Sequence, residues 1–397
     1  MNIIEINSCN YGSTGNIMLQ IAEVAKESGD RVVTCIPKSR DNLKKKTGAC
    51  IYIGGRISRN IHLMASKISG LNGCFSILPT VLFLRKIRKI NPSIVHLHNL
   101  HNCYINLPLL FRYLKKNDIK VIWTLHDCWS FTGQCPYFTI AKCEKWKTGC
   151  HDCLQYRMYP SSTVDKTRTM WRLKKKWFTG LSDMIIVTPS EWLASLVRES
   201  FLKSYSTVVI NNGIDLTIFQ PTESDFRQRY KLSNKKILLG VAFGWGKRKG
   251  LDVFVELAKR LDERFQIVLV GTNDIVDSQL PDNIISIHRT HNQKELAELY
   301  TAADLLVNPT REENYPTVNM EAIACGTPVL TFRTGGSPEI PDDKTGYVVD
   351  VDDIDELEKQ IERICFENIF TKKDCVERAK SFDKTIKFNQ YVKLYRQ

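Results

Sequence analysis

Between Asn42 and Asn117 the chain has no aspartate and no glutamate, against thirteen lysines and arginines. The imbalance extends through the first half: residues 1–210 hold thirty basic and thirteen acidic side chains, whereas residues 211–397 hold twenty-six and thirty. A half of one sign points to an anionic partner on that half, with nucleic acid, anionic lipid and a lipid diphosphate as the candidates. Long apolar runs are lacking too. No stretch of eighteen apolar residues exists, which excludes a membrane-spanning helix. The opening residues MNIIEINSCNYG have no basic stretch and no cleavage pattern, so they read as a first strand and a Gly-rich turn rather than a signal peptide. The expected location is therefore the cytoplasm, where the thirteen cysteines stay mostly free thiols. There is no low-complexity tract and no internal repeat, and 43% hydrophobic with 25% charged residues excludes a disordered chain.

At 397 residues one core is not enough, and two or three domains are expected. Short apolar strands read at Ile3–Ile6, Arg31–Ile36, Ile94–His98, Val121–Leu125, Met184–Thr188 and Thr207–Ile210, with helical patterns at Met18–Ser28 and Leu107–Lys116. After Pro221 the pattern restarts: strands at Lys236–Ala242, Gln266–Gly271, Ile284–Ile287, Leu305–Asn308 and Val329–Phe332, helices at Leu251–Asp262, Gln293–Ala302 and Thr317–Cys325. Twice over this is βαβ architecture on parallel sheets, an α/β fold with two Rossmann-like domains. The divisions are 1–210, a hinge at 211–221, a second domain at 222–380 and a final helical segment at 381–397.

The densest segment runs from Asn308 to Gly336 and holds Glu313 and Glu321 on either side of a helix start marked by Pro316. A helix start leaves amides unpaired and seats phosphate. Carboxylates flanking that seat suit sugar hydroxyls instead. Together they point to a nucleotide sugar. The alternative for acids near a helix start is dipole compensation, which accounts for Glu313 but not for Glu321, more than a turn inside.

This segment resembles the signature of family 4 of the retaining glycosyltransferases, which have the GT-B fold. The likeness rests on Glu313, Glu321, Ala322, Ala324, Gly326, Pro328 and Gly335-Gly336-Ser337-Pro338-Glu339. It extends in order along the chain through Gly12-Ser13-Thr14-Gly15, Trp123-Thr124-Leu125-His126-Asp127, Asn212-Gly213-Ile214-Asp215 and Arg248-Lys249-Gly250-Leu251. A narrower likeness, from His126-Asp127-x-Trp129 to Cys153, is to transferases of bacterial exopolysaccharide, capsule and O-antigen synthesis, of the colanic-acid type. The resemblance implies two domains facing a cleft, with the last helix crossing back to the first. It implies transfer of a hexose, with retention, from a UDP- or GDP-linked donor to a lipid-diphosphate-linked saccharide at the inner face of the plasma membrane. It implies catalytic roles for His126, Lys249 and Glu313, and a donor site of Gly12, Gly15, Arg248, Lys249, Glu313, Asn314, Tyr315, Thr317 and Glu321. Glu313 would contact the hexose hydroxyls, Glu321 the ribose diol and the cations the departing diphosphate. No catalytic metal is expected, and this strand pattern puts no Asp-x-Asp triplet in a strand-end loop.

The chain departs from the family at position 244, where Gly stands in place of an Arg, leaving Lys247 or Arg248 as the second cation. Other readings stand beside these. Gly12 and Gly15 also fit an ordinary βα turn, His126 a packed strand end or a partner of Asp127, Lys247-Arg248-Lys249 a solvated run, and Glu339 either a site acid or surface. Cys135, Cys143, Cys150 and Cys153, in an insertion spanning 128–153, fit packed thiols or a structural zinc site. The basic stretches Val81–Ile90 and Met170–Phe178 each read as a helix packed on the sheet, while the acid-free half as a whole points to contact with an anionic membrane. The rival functions are a nucleotide-sugar-binding protein without activity and a basic nucleic-acid-binding protein. The latter explains neither the carboxylate pair nor the second βα domain, so no nucleic-acid partner is expected.

Overall fold

The computed structural model describes residues 1–45 and 48–397. The chain divides into two compact units, Met1–Asn211 with Lys387–Gln397, and Asn212–Ile386.

The first unit holds seven strands: β1 (Asn2–Ile6), β2 (Arg31–Pro37), β3 (Cys50–Ile53), β4 (Ile94–Leu97), β5 (Lys120–Thr124), β6 (Met184–Thr188) and β7 (Ser206–Val209). They form one sheet in the order β3-β2-β1-β4-β5-β6-β7, parallel throughout. The second unit holds β8 (Lys236–Val241), β9 (Phe265–Val270), β10 (Ile284–Ile287), β11 (Leu305–Asn308), β12 (Val329–Phe332) and β13 (Gly346–Val349). Their order is β10-β9-β8-β11-β12-β13, again parallel. Helices cover both faces of each sheet, so the central strands are buried on both sides and read as continuous apolar runs. Strand order reverses between β1 and β4 and between β8 and β11, and the crevice outside the carboxyl ends there is where open α/β sheets bind ligands.

The last helix, Lys384–Tyr395, contributes Phe388, Tyr391, Val392, Leu394 and Tyr395 to the first unit's core beside Ile3, Ile94 and Ile122. Two edge strands, β3 and β13, escape the sequence reading. Each has only four residues and is partly exposed, so its apolar run is short.

One consequence corrects the expectation about acidic triplets. Asp350-Val351-Asp352 does sit at a strand end, directly after β13. Both carboxylates are held by guanidinium groups, Asp350 by Arg333 at 2.8 Å and Asp352 by Arg311 at 2.7 Å.

The two basic stretches behave differently from interfacial helices. In Thr167–Phe178, Trp171 is buried, its Nε1–H donates to the Trp146 carbonyl at 2.9 Å, and Lys174 is fully buried. The Lys174 ammonium donates to the carbonyls of Trp129 at 2.7 Å and Thr132 at 3.1 Å and lies 3.6 Å from the Trp129 ring centre. Ile77–Ile90 packs Thr80, Phe83 and Ile87 inward. The exposed apolar face lies instead on Arg56–Ser69, a helix absent from the sequence reading. Ile57, Ile61, Met64 and Ile68, spaced four, three and four residues apart, are all at least 62% exposed. Its neighbour begins with exposed Ile77 and Leu78, next to a hydrogen bond of 2.8 Å between His62 Nδ1 and Ser76 Oγ. Burial holds the His62 imidazole down at about 4, so it is neutral and adds no charge to this face.

Candidate functional site

In the second unit the loops after β8 and β11, on the two sides of the strand-order reversal, meet. The β8 loop carries the short helical turn Lys247–Lys249. The β11 loop carries Arg311 to Pro316 and feeds the helix Thr317–Ala324. Lys249 forms an ion pair with Glu313 Oε2, and the other oxygen of Glu313 accepts the Asn314 N–H at 3.1 Å. The pair is partly exposed, with 18% and 17% of the two side chains accessible, so it can be opened by a ligand. Arg248 lies beside it, donating to the Glu312 carbonyl at 3.2 Å.

Two glycines allow this closeness. Gly250 has φ +74°, and a Cβ there would lie 2.4 Å from the Pro309 carbonyl oxygen. Gly335 has φ +54°, and a Cβ there would lie 1.8 Å from the Glu313 carbonyl oxygen. The neighbouring Gly336 N–H donates to the Asn314 carbonyl at 2.7 Å. The Gly-Gly segment thus supports the backbone that carries Glu313.

Pro316 precedes the helix Thr317–Ala324 in extended conformation, with no side chain capping its first amides. Those amides and the positive end of the helix can receive phosphate oxygens. Tyr315 and Asn314 are buried, and the Tyr315 carbonyl accepts the Asn212 side-chain N–H at 3.4 Å. Glu321 lies further along, 9% exposed, with one oxygen accepting the Tyr300 hydroxyl at 2.9 Å. Burial pushes its carboxyl up, against the opposing hydrogen bonds from Tyr300 and Thr317.

Arg311 is the residue that sequence reading missed here. It is 8% exposed and forks onto both oxygens of Asp252, at 2.8 and 2.9 Å, while its Nε reaches Asp352. Its guanidinium also bonds the Lys247 carbonyl, and its own N–H donates to the Arg248 carbonyl at 2.9 Å. The β8 and β11 loops are therefore fastened together by one buried cation. Arg311 lies beside the acidic motif without belonging to any recognisable spacing, so only contact reveals its part.

In the first unit Gly12 opens the helix Gly12–Glu27, and Gly15 sits where a Cβ would be 2.6 Å from the Asn10 carbonyl carbon. His126 follows β5 by two residues, at the carboxyl edge. Its Nε2 lies 3.1 Å from His98 Nδ1, and the rings stack with centres 5.4 Å apart. The Asp127 carboxylate accepts from His101 at 3.1 Å and from the Trp129 N–H at 2.9 Å, and its charge also acts on His126. Burial, first, and the neighbouring His98 hold His126 down at about 3, so the ring is neutral at physiological pH.

Cys135, Cys143, Cys150 and Cys153 line one cavity of about 200 Å³ with Phe138 and Trp146. Among the described residues no three of these sulfurs lie within 4.8 Å of one another, so a four-sulfur tetrahedron is not preformed. Burial pushes the Cys135 thiol up to about 12 and the Cys150 thiol to about 11, which keeps both protonated.

Comparison with known proteins bears on these features. Residues 14–218, just over half of the chain, match the model described as Glycosyltransferase Family 4, and residues 235–366 match that described as Glycosyl transferases group 1. Over 280 residues, 68% of this chain and 67% of the other, the sequence is 25% identical to WcaC of Escherichia coli (strain K12), named as a colanic acid biosynthesis glycosyl transferase. Sucrose-phosphate synthase from Thermosynechococcus elongatus superposes with a TM-score of 0.73 at 19% identity, covering 100% of this chain and 98% of that one. Anabaena Alr3699/HepE in complex with UDP-glucose does so with a TM-score of 0.69 at 14% identity, covering 99% and 98%.

Proposed function

The chain belongs to family 4 of the glycosyltransferases and has the GT-B fold, and we propose that it moves a hexose, with retention, from a UDP- or GDP-linked donor to a growing lipid-linked bacterial surface polysaccharide. The observation that carries this reading is the Lys249–Glu313 pair beside the uncapped start of the Thr317–Ala324 helix. Donor diphosphate binds the helix amides together with Lys249 and Arg248, which neutralise charge as the phosphate leaves. Glu313, released from Lys249, accepts hydrogen bonds from the hexose hydroxyls. Glu321 accepts from the ribose diol. Gly12, Gly15 and His126 serve the sugar and the β-phosphate, with His126 as a neutral donor. Cations and amides supply the charge stabilisation, and no metal ion is needed for it.

The acceptor reading is supported by the colanic acid relative. Contact with the inner face of the plasma membrane is supported by the acid-free segment Asn42–Asn117 together with the exposed face of Arg56–Ser69, where exposed Arg56 and Lys67 accompany the apolar stripe. The test is a thermal-shift screen of UDP- and GDP-sugars followed by mass-spectrometric detection of transfer to polyprenyl-diphosphate saccharides. A stabilising donor and a product one hexose heavier are expected. Tight donor binding with no transfer to any acceptor would leave the reading of a binding protein without activity.

A further inference from the structure

Along β1, β4 and β5 alternate residues share one face of the sheet: Ile3 and Glu5, Ile94, His96 and His98, Ile122, Thr124 and His126. The first member of each set is apolar and lies in the core under the last helix. The later members are polar, so a seam of hydrogen-bonding groups runs through an otherwise apolar layer to the carboxyl edge. Glu5 is fully buried, and so is His98 at 1% exposed. A buried polar group without a partner costs about 1–3 kcal/mol, so each such group calls for an explanation. Two atoms of the seam have none: Glu5 Oε2 and His98 Nε2. They face each other at 3.7 Å.

We propose that Glu5 and His98 are positioning residues for His126: the carboxyl proton on Glu5 Oε2 faces His98 Nε2, His98 donates from Nδ1 to His126 Nε2, and His126 is left carrying its proton on Nδ1. The inference rests on the reading of His126 as a site residue. Two observations and a rule of donor–acceptor matching set the direction of this chain. Glu5 Oε1 accepts from the Tyr395 hydroxyl at 3.4 Å, which leaves Oε2 as the place for the acid proton. The His98–His126 contact of 3.1 Å needs one donor and one acceptor, which two neutral imidazoles supply in one order or the other. A carboxyl proton directed at His98 Nε2 makes that nitrogen the acceptor and Nδ1 the donor. Burial keeps all three groups uncharged at neutral pH, with Glu5 pushed up to about 8 and His98 and His126 held at about 3.

Charge around Glu5 is sparse. Lys26 of the Gly12–Glu27 helix is the cation acting on it. Tyr391 and Tyr395 of the last helix, Cys35 of β2 and His96 and His98 from the β4 end are the other titratable groups facing it. Once Glu5 ionises at alkaline pH, the carboxylate needs an N–H from His98 Nε2. His98 Nδ1 then becomes an acceptor, and His126 must donate inward through Nε2 instead of keeping its proton on Nδ1.

The test is two-bond ¹H–¹⁵N correlation of the histidine rings in the full-length protein, with His126 assigned from His126→Gln, beside steady-state transfer kinetics. His126 protonated on Nδ1 at pH 7 is expected; protonation on Nε2 overturns the inference without any variant of Glu5 or His98. His98→Phe is expected to lower kcat about tenfold to a hundredfold with the donor KM unchanged, a range typical of a hydrogen bond that matters to the reacting geometry. His98→Gln, whose amide donates in place of Nδ1, is expected to recover most of that loss. Glu5→Gln, which cannot ionise, is expected to remove the fall in kcat that ionisation of Glu5 brings to the wild type at alkaline pH. An unchanged alkaline limb in Glu5→Gln, or a wild-type kcat in His98→Phe, overturns the relay. Full transfer by His126→Gln would instead overturn the reading of His126 itself.

Discussion

The ammonium of Lys249 is bonded to the carboxylate of Glu313, and the two residues come from loops on opposite sides of the strand-order reversal in the second sheet. Each group occupies the other. On the proposed reading a phosphate competes for Lys249 and sugar hydroxyls for Glu313, so one bound nucleotide sugar satisfies both when the pair opens. Glu313→Ala and Lys249→Ala are each expected to lower kcat about a hundredfold to a thousandfold, the usual cost of removing one preorganised electrostatic contact. The pair is partly solvated, so the unfolding free energy should shift by no more than about 1 kcal/mol. Transfer kinetics together with urea unfolding separate the two effects, and a stability loss matching the activity loss would contradict the assignment.

Gly335→Ala tests the backbone support of Glu313. The new Cβ meets the Glu313 carbonyl oxygen, and the left-handed φ strains any side chain. A loss of at least about 2 kcal/mol in stability and a raised donor KM are expected, measured by thermal denaturation and kinetics.

Arg311→Met should loosen the two loops together. Its ion pairs hold the Asp252 carboxyl below its usual range, partly against burial. A carboxylate lowered in the folded state adds stability at neutral pH that is lost as pH falls through its folded value. Wild-type protein should therefore lose stability toward acid pH more steeply than Arg311→Met, in parallel thermal scans from pH 7 to pH 3. Equal slopes would show that the clamp contributes nothing.

Glu5 has the opposite sign. Its carboxyl titrates near 4.5 when exposed and is pushed up to about 8 in the fold, so the unfolded chain releases its proton first. Stability is unaffected below that lower value and declines as pH rises toward about 8. Glu5→Gln should be more stable than wild type at pH 8 and gain little at pH 4.5, by chemical denaturation at the two values.

Chelation is expected to leave transfer unchanged. Asp350 and Asp352, the acidic pair at the end of β13, are held by Arg333 and Arg311. Activity within twofold after EDTA treatment is expected; a loss restored by magnesium or manganese would show that the triplet binds a metal after all.

The membrane reading has its own variant. Ile57→Glu with Ile61→Glu places two acids on the exposed stripe while leaving buried His62 and Ser66 in place. Co-sedimentation with phosphatidylglycerol vesicles should fall about tenfold or more, since each change removes buried apolar area and adds repulsion. Transfer to a soluble acceptor should persist.

Much of this was legible along the chain. Met184–Thr188, Leu305–Asn308 and Val329–Phe332 are strands with the limits their apolar runs indicate. A central strand of a parallel sheet is buried on both faces, and that leaves a continuous signal. Gly335 was equally plain as a glycine position, because its left-handed φ and the nearby Glu313 carbonyl oxygen leave no room for a Cβ. The amphipathic Arg56–Ser69 helix was not legible as a surface, since an apolar stripe reads the same whether it faces core or solvent.

Local order along the chain thus determined the two parallel-sheet halves, the positions of their turns and the residue types at the carboxyl edges. Tertiary structure alone decided which side chains meet. Arg311 joins Asp252 and Asp352 across 59 and 41 residues, and His98 joins His126 across 28. Periodicity reports which face of an element is buried, but a hydrogen bond depends on the atom that arrives opposite, and that is set by how neighbouring strands and loops pack.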